Sequence, residues 1–595
     1  MSPSFRAALA WIVGSLLIVL FALMPLSAAW LNGEYLPSNA DAFYHARRAL
    51  DVAMTGQAVT QFDARIHVPE GSWINWPWAY DSVLGWITRA FGPFASEAAA
   101  NRVLLKIPVA CAPLFIAIVL GVARLLRFST TLTILLVLGM AALPVNYLSF
   151  AVGNIDHHYA EGMWTALSLL AGMWFFARPR GVRPGIVLGL VLATALGVHN
   201  SLFILQLPVA MLFLLRWLRQ QPLPEVRSTI AFAASLLLFT VAISVPSQPW
   251  QRGFFEFYTL SWFHTYIAFC TGLFCVLMSS MRRTPAAIGI LVAAAILAVL
   301  PVWNAIDMAQ AFIRGETDVL SIVMEVRSPY ALEQMDNLQG FASANYSLLI
   351  WLSLPATLFS LVLAWRSTEP RLQFFALGAA FGLALMQFQY RFHVFGELAM
   401  VAVPLLAIHL AQQRWPQWNA RFAMGACAAL LLLYIPTTQR WTLHWEPGGH
   451  VAYQEVATAF PVLRDACARR PGVVLTELDA GHWVSYHTSC GVIGDVFLLT
   501  AQHARKADEV RGLMRGETLE QVLAAPENIR YVFVFHGVEI SGTPEPDLEA
   551  LRARMWPLEA GLLGQVDRIP PQYQLLWQRL TPAGQVYARL FEIVR

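Results

Sequence analysis

Long runs of apolar residues recur along most of this chain, and they constrain its fold more than any other feature. Many runs exceed about 18 residues with few or no charges, enough to cross the roughly 30 Å apolar core of a bilayer. The sequence is 57% hydrophobic and 13% charged, whereas soluble domains carry about 25% charged residues. It therefore predicts a polytopic α-helical membrane protein.

We predict about thirteen transmembrane helices. The first apolar run follows Arg6 and is too long for the apolar region of a signal peptide, so we interpret it as an uncleaved first span. With the N-terminus in the cytoplasm, every segment predicted to be cytoplasmic carries Arg, as the positive-inside rule requires. The predicted spans are 7–30, 103–125, 129–149, 158–177, 184–200, 201–217, 228–248, 260–280, 286–303, 346–365, 372–389, 391–411 and 418–436.

The connections on the opposite side of the membrane include three long segments. Two are large loops, 31–102 and 304–345, which belong to a predicted transmembrane domain at 1–436. The third is a predicted C-terminal extracytoplasmic domain at 437–595. Its hydrophobic pattern predicts a mixed α/β fold. The predicted strands are 473–477, 531–535 and 587–594, and the predicted helices lie around 499–514 and 545–556.

Net charge and cysteine content narrow the possible partners and cofactors. A formal charge of only +3 argues against nucleic acid as the main partner. The six cysteines show no metal-ligand spacing. Cys467 and Cys490 flank one stretch of the C-terminal domain and can pair in an oxidising compartment, a question the sequence leaves open.

Two acidic segments lie where the chain leaves the membrane on its non-cytoplasmic side. SNADAFYHARRAL carries Asp41 after the first span, and GNIDHHYAEG carries Asp156, His157 and His158 between the third and fourth spans. A carboxylate at that depth is costly unless it has a partner or a function. Carboxylate oxygen with imidazole nitrogen suits Mn²⁺ or Mg²⁺. The structural alternatives are a solvated helix start at Asp41 and an interfacial polar cluster at Asp156.

Three further segments place polar side chains on the same side. Glu325 lies in an apolar part of the second loop, where pairing with Arg327 is the structural alternative. Arg391 in MQFQYRFHVF suits a lipid phosphate or pyrophosphate by bidentate hydrogen bonding, and snorkelling to the headgroups is its alternative. Asp479 in LTELDAGHWVSYH marks a strand-to-helix turn, a common feature.

In their order along the whole chain, these motifs resemble those of the catalytic subunit of oligosaccharyltransferase. The resemblance is to the archaeal and bacterial single-subunit enzymes, which are C-type glycosyltransferases with thirteen spans. DAFYHARRAL resembles their D-P-Y-Y-H-x-R motif, and GNIDHHYAE resembles G-x-T-D-H-H-x-A-E. IVMEVRSP is similar to T-I-x-E, QYRF to the Arg-Phe of a late span, and LDAGHWVSY to W-W-D-Y-G-H-W-I-x-Y.

The resemblance implies a metal-dependent transfer of a glycan from a polyprenyl-(pyro)phosphate carrier in the bilayer. The implied metal ligands are Asp41, Asp156 and His158, and the implied donor-phosphate ligands are Arg391 and His157. The implied acceptor residues are Glu325 and Asp479. The implied catalytic residues are Asp41, Asp156 and Glu325. The implied cofactor is Mn²⁺ or Mg²⁺. The implied location is a bacterial inner membrane, with the C-terminal domain in the periplasm.

The acceptor side departs from the family pattern. W-W-D-Y-G has become ELDAG at 477–481, so the aromatic pair that recognises the Asn-x-Ser/Thr sequon in the family is absent. The first expected acceptor is protein asparagine, and a hydroxyl, lipid or cell-wall acceptor is the alternative within the class. A transporter or an inactive glycan-lipid binder is the alternative from another class. A transporter should place charged residues in the middle of its spans, whereas these spans carry few or no charged residues there.

Overall fold

Every predicted span overlaps a helix in the structure, which is a computed structural model. The model describes residues 3–24, 30–31, 34–305, 324–334, 340–438, 451–516, 520–525, 528–537, 547–564 and 569–594. Residues 25–29, at the end of the first predicted span, lie outside this set. The helices are Pro3–Leu23, Ile107–Leu125, Thr130–Ala142 with Pro144–Ser149, His158–Ala177, Val182–Val198, Asn200–Gln206 with Leu207–Leu218, Val226–Ser244, Trp262–Ser280, Pro285–Val299, Leu348–Leu352 with Ser353–Arg366, Pro370–Phe388, His393–Arg414 and Asn419–Leu433.

Among the described residues, ten helical stretches are long and apolar enough to cross a membrane. Thr130–Ala142 and Val182–Val198 are apolar but shorter. The first ends before Pro144, because proline disfavours helical backbone in the preceding residue. The second ends where His199 adopts extended backbone, with φ of −151° and ψ of 134°. The remaining predicted span, His158–Ala177, begins with polar residues.

Small residues let the apolar helices approach closely, as is usual in membrane proteins. Helix Val182–Val198 packs along Val226–Ser244. A Cβ atom at Gly189 would lie 2.6 Å from the Leu236 nitrogen and 2.7 Å from the Phe232 oxygen. Glycine is therefore the residue that this helix pair requires at the contact.

The first large loop is an ordered layer on one end of the bundle. It contains three helices and two short antiparallel hairpins. The hairpins are Trp30–Leu31 with Glu34–Tyr35 and Phe62–Asp63 with Ser72–Trp73. The helices are Ala40–Thr55, Trp78–Ala90 and Glu97–Leu104. In the second loop, the described elements are Met324–Val326, Pro329–Glu333 and Phe341–Tyr346.

The C-terminal region contains a five-stranded mixed sheet. In spatial order its strands are Gly491–Val492, Val473–Leu475, Ile529–Phe535, Val586–Ile593 and Tyr573–Leu580. The first three are parallel to one another, and the last two are antiparallel to their neighbours. Val474 pairs with Val492 and Tyr531, and Phe533 pairs with Leu590. The mixed α/β prediction is therefore confirmed.

Two strands were not predicted from the sequence, because both lie at sheet edges. Tyr573–Leu580 is mostly exposed, so its polar and charged residues hide the strand pattern. Gly491–Val492 is only two residues long. The predicted helix around 499–514 is present as Ala501–Met514, whereas the one around 545–556 is reduced to Leu548–Arg552 within the described residues.

The helices of this region are Val451–Val456, Ala459–Arg469, Leu478–His487, Ala501–Met514, Glu520–Ala524, Leu548–Arg552 and Pro557–Leu562. A disulfide joins Cys467, in Ala459–Arg469, to Cys490. The question that the sequence left open is thereby answered. A domain boundary after residue 436 stays a prediction.

The first loop and the C-terminal region share one buried apolar cluster. Phe43, Tyr44 and Trp76 from the loop pack with Phe460 and Trp483. Burying each aromatic side chain contributes on the order of 1.5–3 kcal/mol. The C-terminal region is therefore held against the loop that carries the first acidic motif.

The contact at Gly189 provides a test of the helix packing. We expect Gly189→Val to destabilise the protein by about 1–3 kcal/mol, because the new side chain overlaps the backbone of the neighbouring helix. Gly289→Val is the matched control, since no described atom lies within 4 Å of a Cβ atom there. Thermal unfolding of both variants in detergent checks the prediction, and equal shifts would contradict the close helix contact.

Candidate functional site

Asp41 lies at the start of helix Ala40–Thr55, on the side of the first loop that faces the bundle. Asn39 caps this helix by accepting a 2.7 Å hydrogen bond from the Ala42 nitrogen. Asp41 is in the first turn, where the helix dipole favours a negative charge. His45 follows one turn later and therefore lies on the same helical face.

The second acidic motif forms a turn before helix His158–Ala177. The Asp156 carboxylate accepts a 2.7 Å hydrogen bond from the His157 nitrogen through Oδ1. Its Oδ2 lies 3.5 Å from Nε2 of His158. Asp156 and His158 face each other because the backbone at 156–157 precedes the regular helix. The helix thus begins with side chains directed into a buried polar cluster.

Glu325 reaches the same cluster from the second loop. Its Oε1 lies 3.9 Å from Nε2 of His158. The Tyr390 nitrogen donates a 2.7 Å hydrogen bond to the Arg327 oxygen, which ties this segment to the turn containing Arg391. The second loop and the turn before helix His158–Ala177 therefore meet at His158.

The electrostatics of the cluster suit a bound cation. Burial, together with the negative charge of Asp156, raises the pKa of Asp41 to about 7, with Glu325 adding to the effect and His482 opposing it. Carboxylates crowded in this way favour protonation or a cation over mutual repulsion. Three carboxylates and an imidazole form the mixed oxygen and nitrogen set that Mn²⁺ or Mg²⁺ accepts. The residues present thus fit the predicted metal.

Histidines form the most compact potential ligand groups among the described residues. His45, Asp156 and His157 form one group, and His157, Glu161 and His199 form another, each with its ligand atoms within 4.8 Å. Both groups are centred on His157 rather than on Asp41 and His158. His45 Nδ1 lies 2.5 Å from Asp81 Oδ1, and His199 Nδ1 lies 3.2 Å from Glu161 Oε1. Asp156 belongs both to the first group and to the predicted metal ligands, so the two arrangements share this carboxylate.

A second cluster, of two imidazoles and one guanidinium, adjoins the carboxylates. The rings of His157 and His199 stack with centroids 4.4 Å apart. Nη2 of Arg391 lies 3.4 Å from Nε2 of His199. The two predicted donor-phosphate residues, Arg391 and His157, thus both contact the His199 imidazole, His157 on its face and Arg391 at Nε2. His199 was not predicted from the sequence, although its polar character inside the apolar stretch 184–217 was a detectable signal.

Helix Leu478–His487, which begins in the motif at 477–481, contributes His482 to the cluster. Nδ1 of His482 lies 3.5 Å from Oδ1 of Asp41 and 3.2 Å from the Ala40 oxygen. Asp479 lies one turn earlier, in the first turn of helix Leu478–His487. The described geometry therefore joins this motif to the first acidic motif through His482. The acceptor role of Asp479 stays a prediction.

A cavity of about 320 Å³ lies on the other side of this turn. Its lining includes Glu477, His536, Trp556 and Glu559. Burial and the neighbouring Glu559 raise the pKa of Glu477 to about 8, and burial raises the pKa of Glu559 to about 7. Two carboxyl groups and an indole thus occupy the region beside the position where the family pattern has its aromatic pair.

These helices, loops and sheet form the fold seen in solved archaeal oligosaccharyltransferases. An apo oligosaccharyltransferase from Archaeoglobus fulgidus has a TM-score of 0.73 at 14% identity, with 98% of this chain and 74% of that one aligned. The A. fulgidus enzyme AglB with an inhibitory peptide and a dolichol-phosphate gives the same values. Its complex with Zn and sulfate has a TM-score of 0.65 at 15% identity, covering 97% and 72%. No protein-family model and no curated protein sequence matches the chain.

The Glu477 site predicts a pH dependence of stability. Its folded pKa of about 8 exceeds the ordinary value of 4.5, so the folded state holds more protons between these values. Stability should therefore fall as pH rises from about 5 to about 8.5. Glu477→Gln should flatten that slope in thermal unfolding with chelator present, and Glu549→Gln, at an exposed position, should leave it unchanged. A wild-type slope retained in Glu477→Gln would contradict this assignment.

Proposed function

We propose that the chain transfers a glycan from a polyprenyl-(pyro)phosphate carrier to an acceptor in a metal-dependent reaction. The observation that carries this proposal is the meeting of two groups. Asp156 and Glu325 lie beside His158, and Asp41 is close enough to interact electrostatically with both carboxylates. A second group, formed by the imidazoles of His157 and His199 and the guanidinium of Arg391, adjoins them. The shared fold supports it, because archaeal relatives of that fold have been solved with dolichol-phosphate and with an acceptor peptide.

The proposed division of labour follows from the chemistry of each group. Asp41, Asp156 and His158 hold Mn²⁺ or Mg²⁺, which when bound neutralises charge on the leaving phosphate. Arg391 and His157 bind phosphate oxygens of the donor, Arg391 through its planar pair of donors. These contacts strengthen as negative charge develops on the phosphate and therefore favour the transition state.

The acceptor reacts on the opposite face of the sugar. Its nitrogen or oxygen forms a bond to the anomeric carbon as the bond from that carbon to the phosphate oxygen breaks. The bonding electrons leave with the polyprenyl-(pyro)phosphate, and the acceptor gives up one proton. Glu325, 3.9 Å from His158, holds the acceptor over the metal site.

We propose an inner-membrane location with the N-terminus in the cytoplasm and the C-terminal domain, 437–595, in the periplasm. The distribution of Arg over alternate connections supports this orientation. The disulfide between Cys467 and Cys490 also supports it, because such bonds persist in oxidising compartments. A transporter is disfavoured, since the buried charges described above lie at helix ends and in loops rather than along the spans.

Metal dependence is the first test of this function. Chelation should abolish transfer from a lipid-linked donor, and Mn²⁺ should restore it. Asp156→Ala should lower kcat by a factor of about 10² or more, as expected when a group that stabilises transition-state charge is lost. Asp508→Ala, on an exposed face of the C-terminal region, is the control. Full activity in chelator would refute the metal-dependent reaction.

The first acceptor we propose is protein asparagine. A hydroxyl, lipid or cell-wall acceptor is the second candidate, and the composition of the turn at 477–481 favours it. Carboxyl groups of Glu477 and Glu559 line the cavity beside that turn. Polar carboxyl groups hydrogen-bond hydroxyl or amino groups better than they pack the methyl group of threonine. The site that selects Ser or Thr in the family pattern is therefore altered in this chain.

Paired peptides test the acceptor. We expect Asn-x-Thr and Asn-x-Ala peptides to be modified equally or not at all, because a site without the hydroxyl-recognising pocket has no basis for rejecting alanine. The measurement is glycopeptide formation by the purified enzyme with a lipid-linked donor. Donor hydrolysis without modification of either peptide would support a non-protein acceptor. A Thr preference of about a hundredfold would contradict relaxed recognition.

A further inference from the structure

The two aspartates proposed as metal ligands, Asp156 and Asp41, each lie near a histidine. That histidine also contacts a second, buried aspartate on its other ring nitrogen. Behind Asp156, Nε2 of His45 lies 3.7 Å from Oδ1, and Nδ1 of the same ring lies 2.5 Å from Asp81. Behind Asp41, Nδ1 of His482 lies 3.5 Å from Oδ1. Nε2 of that ring lies 3.5 Å from Oδ2 of Asp495. Asp495 comes from the C-terminal region, far from the acidic motifs in sequence.

Asp495 is held firmly in this position. It is 1% exposed, and its Oδ1 accepts a 2.9 Å hydrogen bond from the Phe497 nitrogen. Nε2 of His67, from the first loop, lies 3.0 Å from the same oxygen. Such contacts fix the carboxylate, so its second oxygen is directed at His482.

Gly481, which precedes His482 in the chain, makes this arrangement possible. A Cβ atom at Gly481 would lie 2.6 Å from the Gly494 oxygen and 3.0 Å from the Asp495 Cβ. Helix Leu478–His487 therefore approaches the 494–495 segment as closely as backbone permits. Aromatic rings hold the imidazole from its sides, with Tyr44 at 4.9 Å and Phe497 at 5.0 Å between ring centroids.

We propose that Asp495 is a positioning residue for the metal site: it holds His482, whose Nδ1 lies 3.2 Å from the Ala40 oxygen and 3.5 Å from the Asp41 carboxylate, and so keeps the start of helix Ala40–Thr55 and Asp41 in place for the cation. This inference rests on the proposed function, because it takes Asp41 as a metal ligand. Residues that orient metal ligands without touching the metal typically contribute 10- to 100-fold to metal affinity. The loop histidine His67 and the C-terminal Asp495 thereby link metal binding to the packing of the C-terminal region on the first loop.

Manganese binding to the full chain in detergent tests the proposal without any transfer assay. Asp495→Asn keeps the size of the side chain but removes its charge, and His482→Gln breaks the same link from the other end. We expect both to raise the Kd for Mn²⁺, measured by calorimetry, about 10- to 100-fold. Asp508→Asn is the matched control, because it makes the same change at an exposed carboxylate that contacts neither His482 nor Asp495. It should leave the Kd for Mn²⁺ unchanged.

Thermal unfolding without metal separates positioning from a general loss of structure. The proposal requires metal affinity to fall in Asp495→Asn and His482→Gln while both variants keep a cooperative metal-free unfolding transition. Wild-type Kd in Asp495→Asn would overturn the proposal alone, as would an equal loss of affinity in Asp508→Asn. A wild-type protein that binds no Mn²⁺ would overturn the proposed metal site together with this inference.

Discussion

The approach of three carboxylates, Asp41, Asp156 and Glu325, is the constraint on which the rest of the site depends. Asp156 is buried, and Asp41 and Glu325 are partly exposed. Negative charges this close together are unfavourable unless cations or hydrogen-bond donors offset them. Two histidines from neighbouring helices supply such partners. His158 lies between Asp156 and Glu325, and His482 lies against Asp41. The two loops, the helix ends and the C-terminal sheet are packed so that these contacts form.

Hydropathy was sufficient to predict the membrane helices, because a bilayer imposes length and composition on every span. Each predicted span is helical, and the α/β character of the C-terminal region is confirmed. The sequence was less informative where partners come from distant segments. Asp495 and Asp81 carry no local signal, since their contacts with His482 and His45 exist only after folding. Edge strand Tyr573–Leu580 was missed because its exposed residues resemble a polar loop.

The proposed donor and acceptor sides of the site differ in how well their chemistry follows from the residues. On the proposed donor side, the Arg391 guanidinium and the imidazoles of His199 and His157 adjoin the carboxylates and offer nitrogen hydrogen-bond donors that suit a phosphate. On the acceptor side, Glu477 and Glu559 line a cavity beside the turn that resembles the family's recognition motif. A scaffold can keep one half of its chemistry while the other half changes, because function depends on the site rather than on the fold.

The central claim is that a divalent cation and a lipid phosphate meet at Asp156. Electron paramagnetic resonance of the Mn²⁺-loaded protein with undecaprenyl phosphate tests it directly, through the hyperfine coupling between manganese and ³¹P. The account predicts a coupling typical of phosphate bound to the metal, which Asp156→Ala removes and Arg391→Ala weakens. Phosphate binding without any ³¹P coupling, or a coupling that survives Asp156→Ala, would contradict it.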